Sequence, residues 1–307
     1  CLSSLNLEKY DEWKNDKNFI KDVMKFLDNV LTDFIEKAPE EFSDAAYSAL
    51  RERSVGLGVM GLHSYFQQKM IPIESVMSKV WNKKIFEHIQ EEVDQASKDL
   101  AEERGPCPDA ADYGINERFS NKTAIAPTAS ISIICGGTSP GIEPIAANSF
   151  THKTLSGSFN VRNKYLQQIL EKYNKNDDET WSGITTNQGS VSHLDFLTQK
   201  EKNVFKTAFE INQQWIVELG ADRTPNISQA QSINIFIPAD VHKKELHQIH
   251  FQAWKKGLKS LYYCRSKSIQ RAENINNGSS TDVKLNVYKS KTEKSDEIEY
   301  EECLSCQ

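Results

Sequence analysis

The chain has 307 residues, of which 38% are hydrophobic, and a formal net charge of −6 at pH 7. No apolar run approaches the ~20 residues that a membrane-spanning helix needs, and mild acidity gives no reason to expect nucleic-acid binding. Six cysteines in a chain of this size are not typical of a secreted disulfide scaffold. We therefore expect a cytoplasmic protein without membrane or nucleic-acid partners.

Helices are predicted in the first third of the chain, over residues 18–37, 43–70 and 76–104, from apolar residues at helical spacing. The middle segment contains GLGVMG at 56–61, which matches the G-x-G-x-x-G fingerprint of dinucleotide-binding folds. The residues before it indicate helix rather than a buried strand, and the usual acidic residue about 20 positions later is poorly placed. NAD binding is therefore not expected.

Strands and helices alternate in the second half. Residues 123–143 predict a strand, a turn, a short apolar run and a Gly-rich loop. Helices are predicted over 164–173, 198–219 and 239–257, and strands over 231–238 and 258–264. A strand, a helix and a strand within about 35 residues predict a βαβ unit and a parallel sheet.

The last segment, 271–307, has few core-forming residues and predicts a flexible tail. A short edge strand is the alternative, because Val283, Leu285 and Val287 alternate with polar residues. The tail ends in a C-x-x-C pair, Cys303 and Cys306. A mobile dithiol suits exchange with a distant disulfide, and an incidental exposed pair is the alternative.

Several other residues are candidates for chemistry. The run Pro127, Thr128, Ala129, Ser130, Ile131 and Ser132 combines a turn-setting proline with hydroxyls. Such a loop aims backbone N–H groups at one anion, although an ordinary Ser/Thr turn has the same composition. Tyr262 and Tyr263 by themselves indicate strand aromatics on opposite faces. Cys107, Cys135 and Cys264 are expected to be packing residues.

Together these segments resemble the large, catalytic α subunit of class I ribonucleotide reductase, from Cys1 to the final C-x-x-C. The resemblance depends on the order and spacing of RSVGLGVMGLHSYF (53–66), APTAS (126–130), SPGIEP (139–144), SQAQSINIFI (228–237) and GLKSLYY (257–263). It implies an α/β fold, the second part of a ten-stranded α/β barrel of two five-stranded parallel halves. Residues 1–270 would be this barrel part and 271–307 the flexible tail. The GLGVMGL block would be a helical packing element.

The resemblance also implies an activity, the radical reduction of ribonucleoside diphosphates to deoxyribonucleoside diphosphates for DNA synthesis. Cys1 would be one member of the redox-active cysteine pair, and residues 127–132 would hold the substrate diphosphate. Tyr262 and Tyr263 would relay the radical from the β subunit. Cys303 and Cys306 would re-reduce the active-site disulfide and then be reduced by thioredoxin or glutaredoxin.

Because the other redox cysteine and the thiyl cysteine of the family lie upstream of Cys1, the chain is expected to need the N-terminal part of the α subunit. No cofactor is expected on this chain: the metal-containing β subunit would supply the radical, and allosteric ATP and dNTP sites would lie on the N-terminal part. Two features depart from the family, the run at 118–122 and an oxidisable Cys264 beside the tyrosines. The rival hypotheses are a non-catalytic, redox-responsive binding module and an NAD-dependent oxidoreductase.

Overall fold

The computed structural model describes residues 1–154 and 157–266. It is a helix-rich α/β structure. The helices are α1 Tyr10–Trp13, α2 Phe19–Lys37, α3 Ser43–Glu52, α4 Leu62–Gln68, α5 Val76–Arg104, α6 Pro108–Asp112, α7 Ala129–Ile134, α8 Lys164–Lys172, α9 Asp178–Thr186, α10 Gln199–Val204, α11 Gln213–Arg223 and α12 Lys243–Lys255. The strands are β1 Leu2–Asn6, β2 Gly56–Met60, β3 Ser149–Thr154, β4 Gly157–Arg162, β5 Ile235–Ile237 and β6 Cys264–Ser266.

Parallel segments cross the interior in chain order. β1 pairs with β2, and β5 pairs with β6. Between these pairs, Leu57 bridges Thr123 and Ile125 bridges Gln231, again in parallel. Neighbouring parallel segments joined by helical crossovers are the arrangement of an α/β barrel wall. The predicted fold class, part of an α/β barrel, is confirmed, as is the βαβ unit formed by β5, α12 and β6.

The predicted helix over 43–70 is wrong in its middle, and so is the helical role of the GLGVMGL block. α3 ends at Glu52, and Gly56–Met60 is a fully buried strand. A Cβ on Gly58 would lie 2.2 Å from the carbonyl oxygen of Ala124 on the next segment. Only glycine allows the two backbones to approach so closely, because any side chain would collide with the neighbouring carbonyl.

These glycines therefore serve close packing between backbones. The third one, Gly61, has a left-handed backbone (φ 81°) and precedes α4. Its N–H donates to the carbonyl of Ser139 at 2.7 Å, so it is not available to a pyrophosphate. The sequence-based argument against NAD binding is wrong in its premise, because the fingerprint lies in a buried strand followed by a helix. The close packing of Gly58 and the bonded N–H of Gly61 are the observations that oppose such binding.

Two long helices cover the outside of the parallel segments. α2 buries Ile20, Met24, Leu27 and Leu31, which lie three or four residues apart on one face. α5 is about 43 Å long at 1.5 Å per residue. It begins at the Ser75 cap, whose hydroxyl accepts from Ser78 N–H, and ends where Gly105 adopts φ 84°. Both helices match the boundaries expected from the sequence within one residue.

A buried ion cluster joins these helices to the following loops. The carboxylate of Asp28, on α2, is fully buried and accepts hydrogen bonds from the guanidinium groups of Arg53, Arg104 and Arg118 at 2.7 to 3.1 Å. Arg118 belongs to the run that departs from the family pattern. Its side chain thus has a structural partner in a helix 90 positions earlier.

Three other boundaries differ from prediction. The helix expected over 198–219 is two helices, α10 and α11, because Asn212 accepts from Gln214 N–H and starts a new helix. The strand expected over 231–238 is regular only at β5. The strand expected over 258–264 begins only at its last residue, Cys264. The tail 271–307, including the alternative edge strand, lies outside the described residues.

Helices α8 to α10 form a second apolar cluster, separate from the one around the parallel segments. It contains Leu166, Trp181, Ile184 and Phe205, all nearly inaccessible to solvent. The antiparallel hairpin of β3 and β4 precedes these helices. None of the helices in the described ranges combines the length and hydropathy needed to span a bilayer.

Candidate functional site

A cavity of about 1080 Å³ opens beside the parallel segments. Its walls come from distant parts of the chain: the start of β1, the loop and helix after Ile125, the hairpin, and the residues around β6. Lining residues include Leu2, Ser3, Ser4, Pro127, Thr128, Ala129, Ser130, Ile131, Ser132, Phe150, Val161, Tyr262 and Tyr263. Every residue of the predicted anion loop and both tyrosines thus face one space.

The loop entering α7 has a strained residue at its turn. Thr128 adopts a left-handed conformation (φ 57°), which is uncommon for a β-branched residue. Its hydroxyl accepts from the N–H of Gly141 at 2.6 Å, and its carbonyl accepts from the N–H of Ser132 at 3.0 Å. These bonds fix the loop against the SPGIEP segment, and strain held by surrounding structure is typical of binding sites.

The backbone amides of Ala129, Ser130 and Ile131 precede the first hydrogen bond within α7. The first N–H groups of a helix have no intrahelical acceptor, and they favour anions. Ala129 and Ser130 are exposed to the cavity side of this turn. The loop can therefore present a row of N–H groups to a ligand in the cavity.

The charged residues among those that line the cavity are Arg162, Lys164, Arg265 and Glu143. Lys164 donates to the carbonyl oxygen of Gly136 at 3.1 Å and also pairs with the carboxylate of Glu8, while Arg162 pairs with the exposed Asp178 at the start of α9. Two of the three cations are thus matched by carboxylates, and Arg265 lies close enough to Glu143 to act on its pKa. The loop amides, rather than a net positive charge, are therefore the feature that suits a negatively charged ligand.

The two tyrosines lie side by side. The ring centroids of Tyr262 and Tyr263 are 4.2 Å apart and the ring planes are inclined by 55°. Both rings are partly open to solvent, with exposed fractions of 48% and 40%. The expectation from strand alternation, opposite faces, is therefore wrong at this position.

Buried polar contacts hold the cavity wall. Ser64 and Ser139 exchange bonds between hydroxyl and backbone N–H at 3.0 and 2.8 Å. Nearby, Nδ1 of His63 accepts from the N–H of Ile145 at 3.0 Å. Burial lowers the pKa of His63 to about 3, so the ring is neutral and serves as a hydrogen-bond acceptor. This wall is thus preorganised by α4.

The cysteines occupy different environments. Cys1 is exposed and directly precedes β1. The first three residues of that strand line the cavity. Cys107 is buried, as predicted, whereas Cys135 and Cys264 are exposed, so their assignment as packing residues is wrong. Cys303 and Cys306 lie outside the described residues. Within the described ranges, no group of three His, Cys, Asp or Glu side chains is arranged to hold a metal ion.

Comparison with known proteins places this geometry in one family. The sequence model described as "Ribonucleotide reductase, barrel domain" matches residues 1–113 and 109–264. The chain belongs to the ribonucleotide reductase family.

Named relatives agree with this assignment. The ribonucleoside-diphosphate reductase large subunit of Invertebrate iridescent virus 6 is 52% identical over 90% of this chain and 29% of its own length. The putative large subunit of Frog virus 3 is 37% identical over 100% of this chain and 52% of its own length. The solved Actinobacillus ureae class Id ribonucleotide reductase alpha subunit superposes with a TM-score of 0.81, at 38% identity, over 87% of this chain and 49% of its own. The chain thus spans about a third to a half of these relatives.

Sequence reasoning missed the buried polar residues of this reductase barrel. Glu143 and Asn234, which lie near the tyrosines, were not singled out. A signal was present for each: Asn234 lies within the apolar run from Ile233 to Ile237, and Glu143 sits between an apolar residue and a proline in SPGIEP. A polar residue among apolar neighbours needs a hydrogen-bond partner once it is buried, and this requirement marks both positions.

Proposed function

We propose that this chain is the second part of the catalytic barrel of a class I ribonucleoside-diphosphate reductase large subunit. The observation that carries the proposal is the shared cavity: the loop 127–132, the pair Tyr262 and Tyr263, and the strand following Cys1 all border it. Residues 1–270 would complete the barrel together with an N-terminal part of the subunit. The names of the relatives support the substrate class.

The loop would bind the diphosphate of the substrate. Its amides at Ala129, Ser130 and Ile131 precede the α7 hydrogen bonds and line the same cavity as Arg162 and Lys164, each of which already pairs with a carboxylate. Backbone donors fixed by the Thr128 bonds would need little rearrangement when the diphosphate arrives. Preorganised donors of this kind bind anions at low entropic cost.

The tyrosines would carry the radical between the β subunit and the active site. The metal-containing β subunit would supply that radical, and this chain would bind no cofactor of its own. With centroids 4.2 Å apart, the two rings are close enough for an electron to pass directly between them. Their partial exposure leaves one side open towards a partner protein.

Cysteine chemistry would provide the electrons. Cys1 and a cysteine of the N-terminal part would give two electrons and two protons to the ribose, release its hydroxyl as water, and become a disulfide. Cys303 and Cys306, on the proposed tail 271–307, would reduce this disulfide by thiol exchange. Thioredoxin or glutaredoxin would then reduce the tail pair.

The proposal is tested with Tyr262→Phe in the assembled enzyme, meaning this chain with the N-terminal part and the β subunit. The change removes one hydroxyl from a half-exposed ring, so stability should fall by no more than about 1 kcal/mol. Deoxynucleotide formation should be abolished, because a phenylalanine ring is not oxidised at an accessible potential. The matched control is Tyr47→Phe on α3, whose ring is also exposed and lies away from the cavity.

Turnover equal to the parent in Tyr262→Phe would contradict the relay. If turnover is unchanged and thioredoxin still binds in a redox-dependent manner, the redox-responsive binding module becomes the better description. Saturable NAD binding would instead favour the dehydrogenase rival, which the packing of Gly58 against Ala124 already opposes.

A further inference from the structure

The two tyrosines are side by side because the chain contains an extra residue directly before β6, where its ladder with β5 begins. Ile235 pairs with Cys264, and its N–H donates to the carbonyl of Tyr263 at 2.8 Å. A regular parallel ladder in this register would have the N–H of Tyr263 donate to the carbonyl of Ile233. Instead, that carbonyl accepts from the N–H of Tyr262 at 2.8 Å.

The extra residue is a β-bulge, which ends the alternation of side chains between two faces. It also deprives the N–H of Tyr263 of its acceptor in the ladder. The side chain of Asn234 replaces that acceptor: its Oδ1 accepts from the N–H of Tyr263 at 3.0 Å. Asn234 is 2% exposed, so this bond forms where water does not compete.

Asn234 is itself held in place by Glu143. Its Nδ2 donates to Oε1 of Glu143 at 2.6 Å, and the Glu143 side chain is 9% exposed. This bond fixes the orientation of the amide, so that its oxygen rather than its nitrogen faces the backbone of Tyr263. On the far side, the guanidinium of Arg265 lies 5.4 Å from the centre of the Tyr263 ring.

The ionisation of Glu143 reflects the same contacts. Burial raises the pKa of the Glu143 carboxyl, while the hydrogen bond from Asn234 and the charge of Arg265 act in the opposite direction. The Glu143 carboxyl has a clear local use: it accepts from the Asn234 amide, which completes the bulge.

We propose that Asn234 and Glu143 are positioning residues that set the spacing and orientation of the tyrosine pair. Glu143 orients the Asn234 amide, Asn234 stabilises the bulge, and the bulge places both rings on one side of the strand. The inference rests on the proposed radical relay, because only that function gives the ring spacing a chemical consequence.

The test exchanges donor and acceptor in the assembled enzyme. Asn234→Asp keeps an acceptor for the N–H of Tyr263 but places the new carboxyl group next to that of Glu143, where the two repel each other. Turnover per folded molecule should fall about 10- to 100-fold, with KM for the nucleoside diphosphate unchanged, since misplacement by about 1 Å costs this much. Glu143→Gln keeps the acceptor for Asn234 and should lose little.

The double variant Asn234→Asp/Glu143→Gln restores the pair with the direction of the bond reversed. It should recover turnover to within about threefold of Glu143→Gln alone. Gln213→Glu is the matched control: Oε1 of Gln213 accepts from the N–H of Phe236 on β5, two residues after Asn234. The same amide-to-carboxylate change there should lower stability without a selective fall in turnover.

Amide hydrogen exchange supplies a readout that does not depend on activity. In Asn234→Ala, the backbone N–H of Tyr263 should exchange much faster, whereas the neighbouring N–H of Ile235 should remain protected. Parent-like turnover in Asn234→Asp, in an enzyme that Tyr263→Phe inactivates, would overturn the positioning role alone. Failure of the double variant to recover would also overturn it. Parent-like turnover in Tyr263→Phe would overturn the relay itself, whatever the exchange data show.

Discussion

At the scale of single residues, the Asp28 cluster shows what the sequence does not reveal. Arg118 stands out in the sequence only because its surroundings depart from the family pattern. Its partner lies on α2, and two further arginines, one directly after α3 and one at the end of α5, converge on the same carboxylate. No local pattern connects these positions, because the contact exists only after four segments of the chain have packed together.

Electrostatics decide what the cluster contributes. Burial by itself would raise the pKa of Asp28, but hydrogen bonds from Arg118 and Arg104 and the charge of Arg53 hold it below its usual range. A carboxyl whose pKa is lowered on folding stabilises the native state above its unfolded pKa of about 3.9. That stabilisation is lost as the pH falls through the lowered folded value.

We therefore predict that Asp28→Asn lowers the free energy of unfolding of the assembled large subunit by about 3–5 kcal/mol at pH 7, because it leaves buried guanidinium charge uncompensated. The loss should shrink in acid, as the pH falls below the unfolded pKa of about 3.9 and then through the lowered pKa of folded Asp28. Urea unfolding at a series of pH values measures both effects.

The control is Asp99→Asn, which removes a partly exposed pair with Lys21 on the surface between α2 and α5. It should cost no more than about 1 kcal/mol. Equal losses in the two variants would show that the buried cluster contributes no more than a surface pair.

At the scale of elements, whether a helix or strand is predictable from the sequence depends on how many of its faces are buried. α2 and α5 were predicted well because each buries one face and leaves the other in solvent, which produces a clear period of 3.6 residues. β2 is buried on all sides, so apolar and polar residues do not alternate in its sequence. The sequence pattern therefore predicts helix there, which is wrong. The break between α10 and α11 depends on capping by Asn212, which the apolar pattern does not show.

Gly58 gives a test at this scale. Gly58→Ala should lower the stability of the large subunit by about 2–3 kcal/mol, because the new methyl group would overlap the carbonyl of Ala124 and force the strands apart. Denaturant unfolding provides the measurement.

Gly183→Ala in α9 is the matched change. There the nearest atom would be 3.4 Å away, on a histidine side chain, and alanine favours helix over glycine by about 1 kcal/mol. This variant should be neutral or stabilising. If Gly58→Ala were equally harmless, close strand approach would not be the reason for a glycine in β2.

The candidate site was predictable only in part. Its chemistry-bearing residues, the loop 127–132 and the tyrosines, were predictable through family resemblance, and the structure brings them to one cavity. The residues that arrange them were not predictable, because the bulge opposite Asn234 depends on the register between two strands about 30 residues apart. Sequence patterns indicate what a residue can do, whereas register determines which neighbours it meets.

At the scale of the whole molecule, the parallel segments end in open edges. Among the described residues, β1 pairs only with β2 and β6 pairs only with β5. Apolar side chains such as Leu2 and Ile134 are exposed near the cavity, at 62% and 83%. Unpaired edges and apolar surface promote association with another polypeptide.

The 307-residue chain expressed by itself should therefore self-associate and form no deoxynucleotides, even with the β subunit and a dithiol present. Co-expression with the N-terminal part of the subunit should give a stable complex that is active with the β subunit. Light scattering after size exclusion and a deoxynucleotide assay measure the two outcomes. A monomeric and active isolated chain would contradict both the open-edge argument and the proposed division of catalytic groups.

The bulge at Tyr262 and Tyr263 also has an evolutionary consequence. Removing one residue from this stretch would let the ladder between β5 and β6 close in regular register, with every backbone bond satisfied. The backbone hydrogen bonds of the sheet would remain, yet the rings would move to opposite faces. The Asn234 side chain would no longer accept a hydrogen bond from the backbone of this segment. The barrel and the ring pair can thus be inherited separately: a lineage can keep the architecture after the deletion of a single codon has separated the two rings.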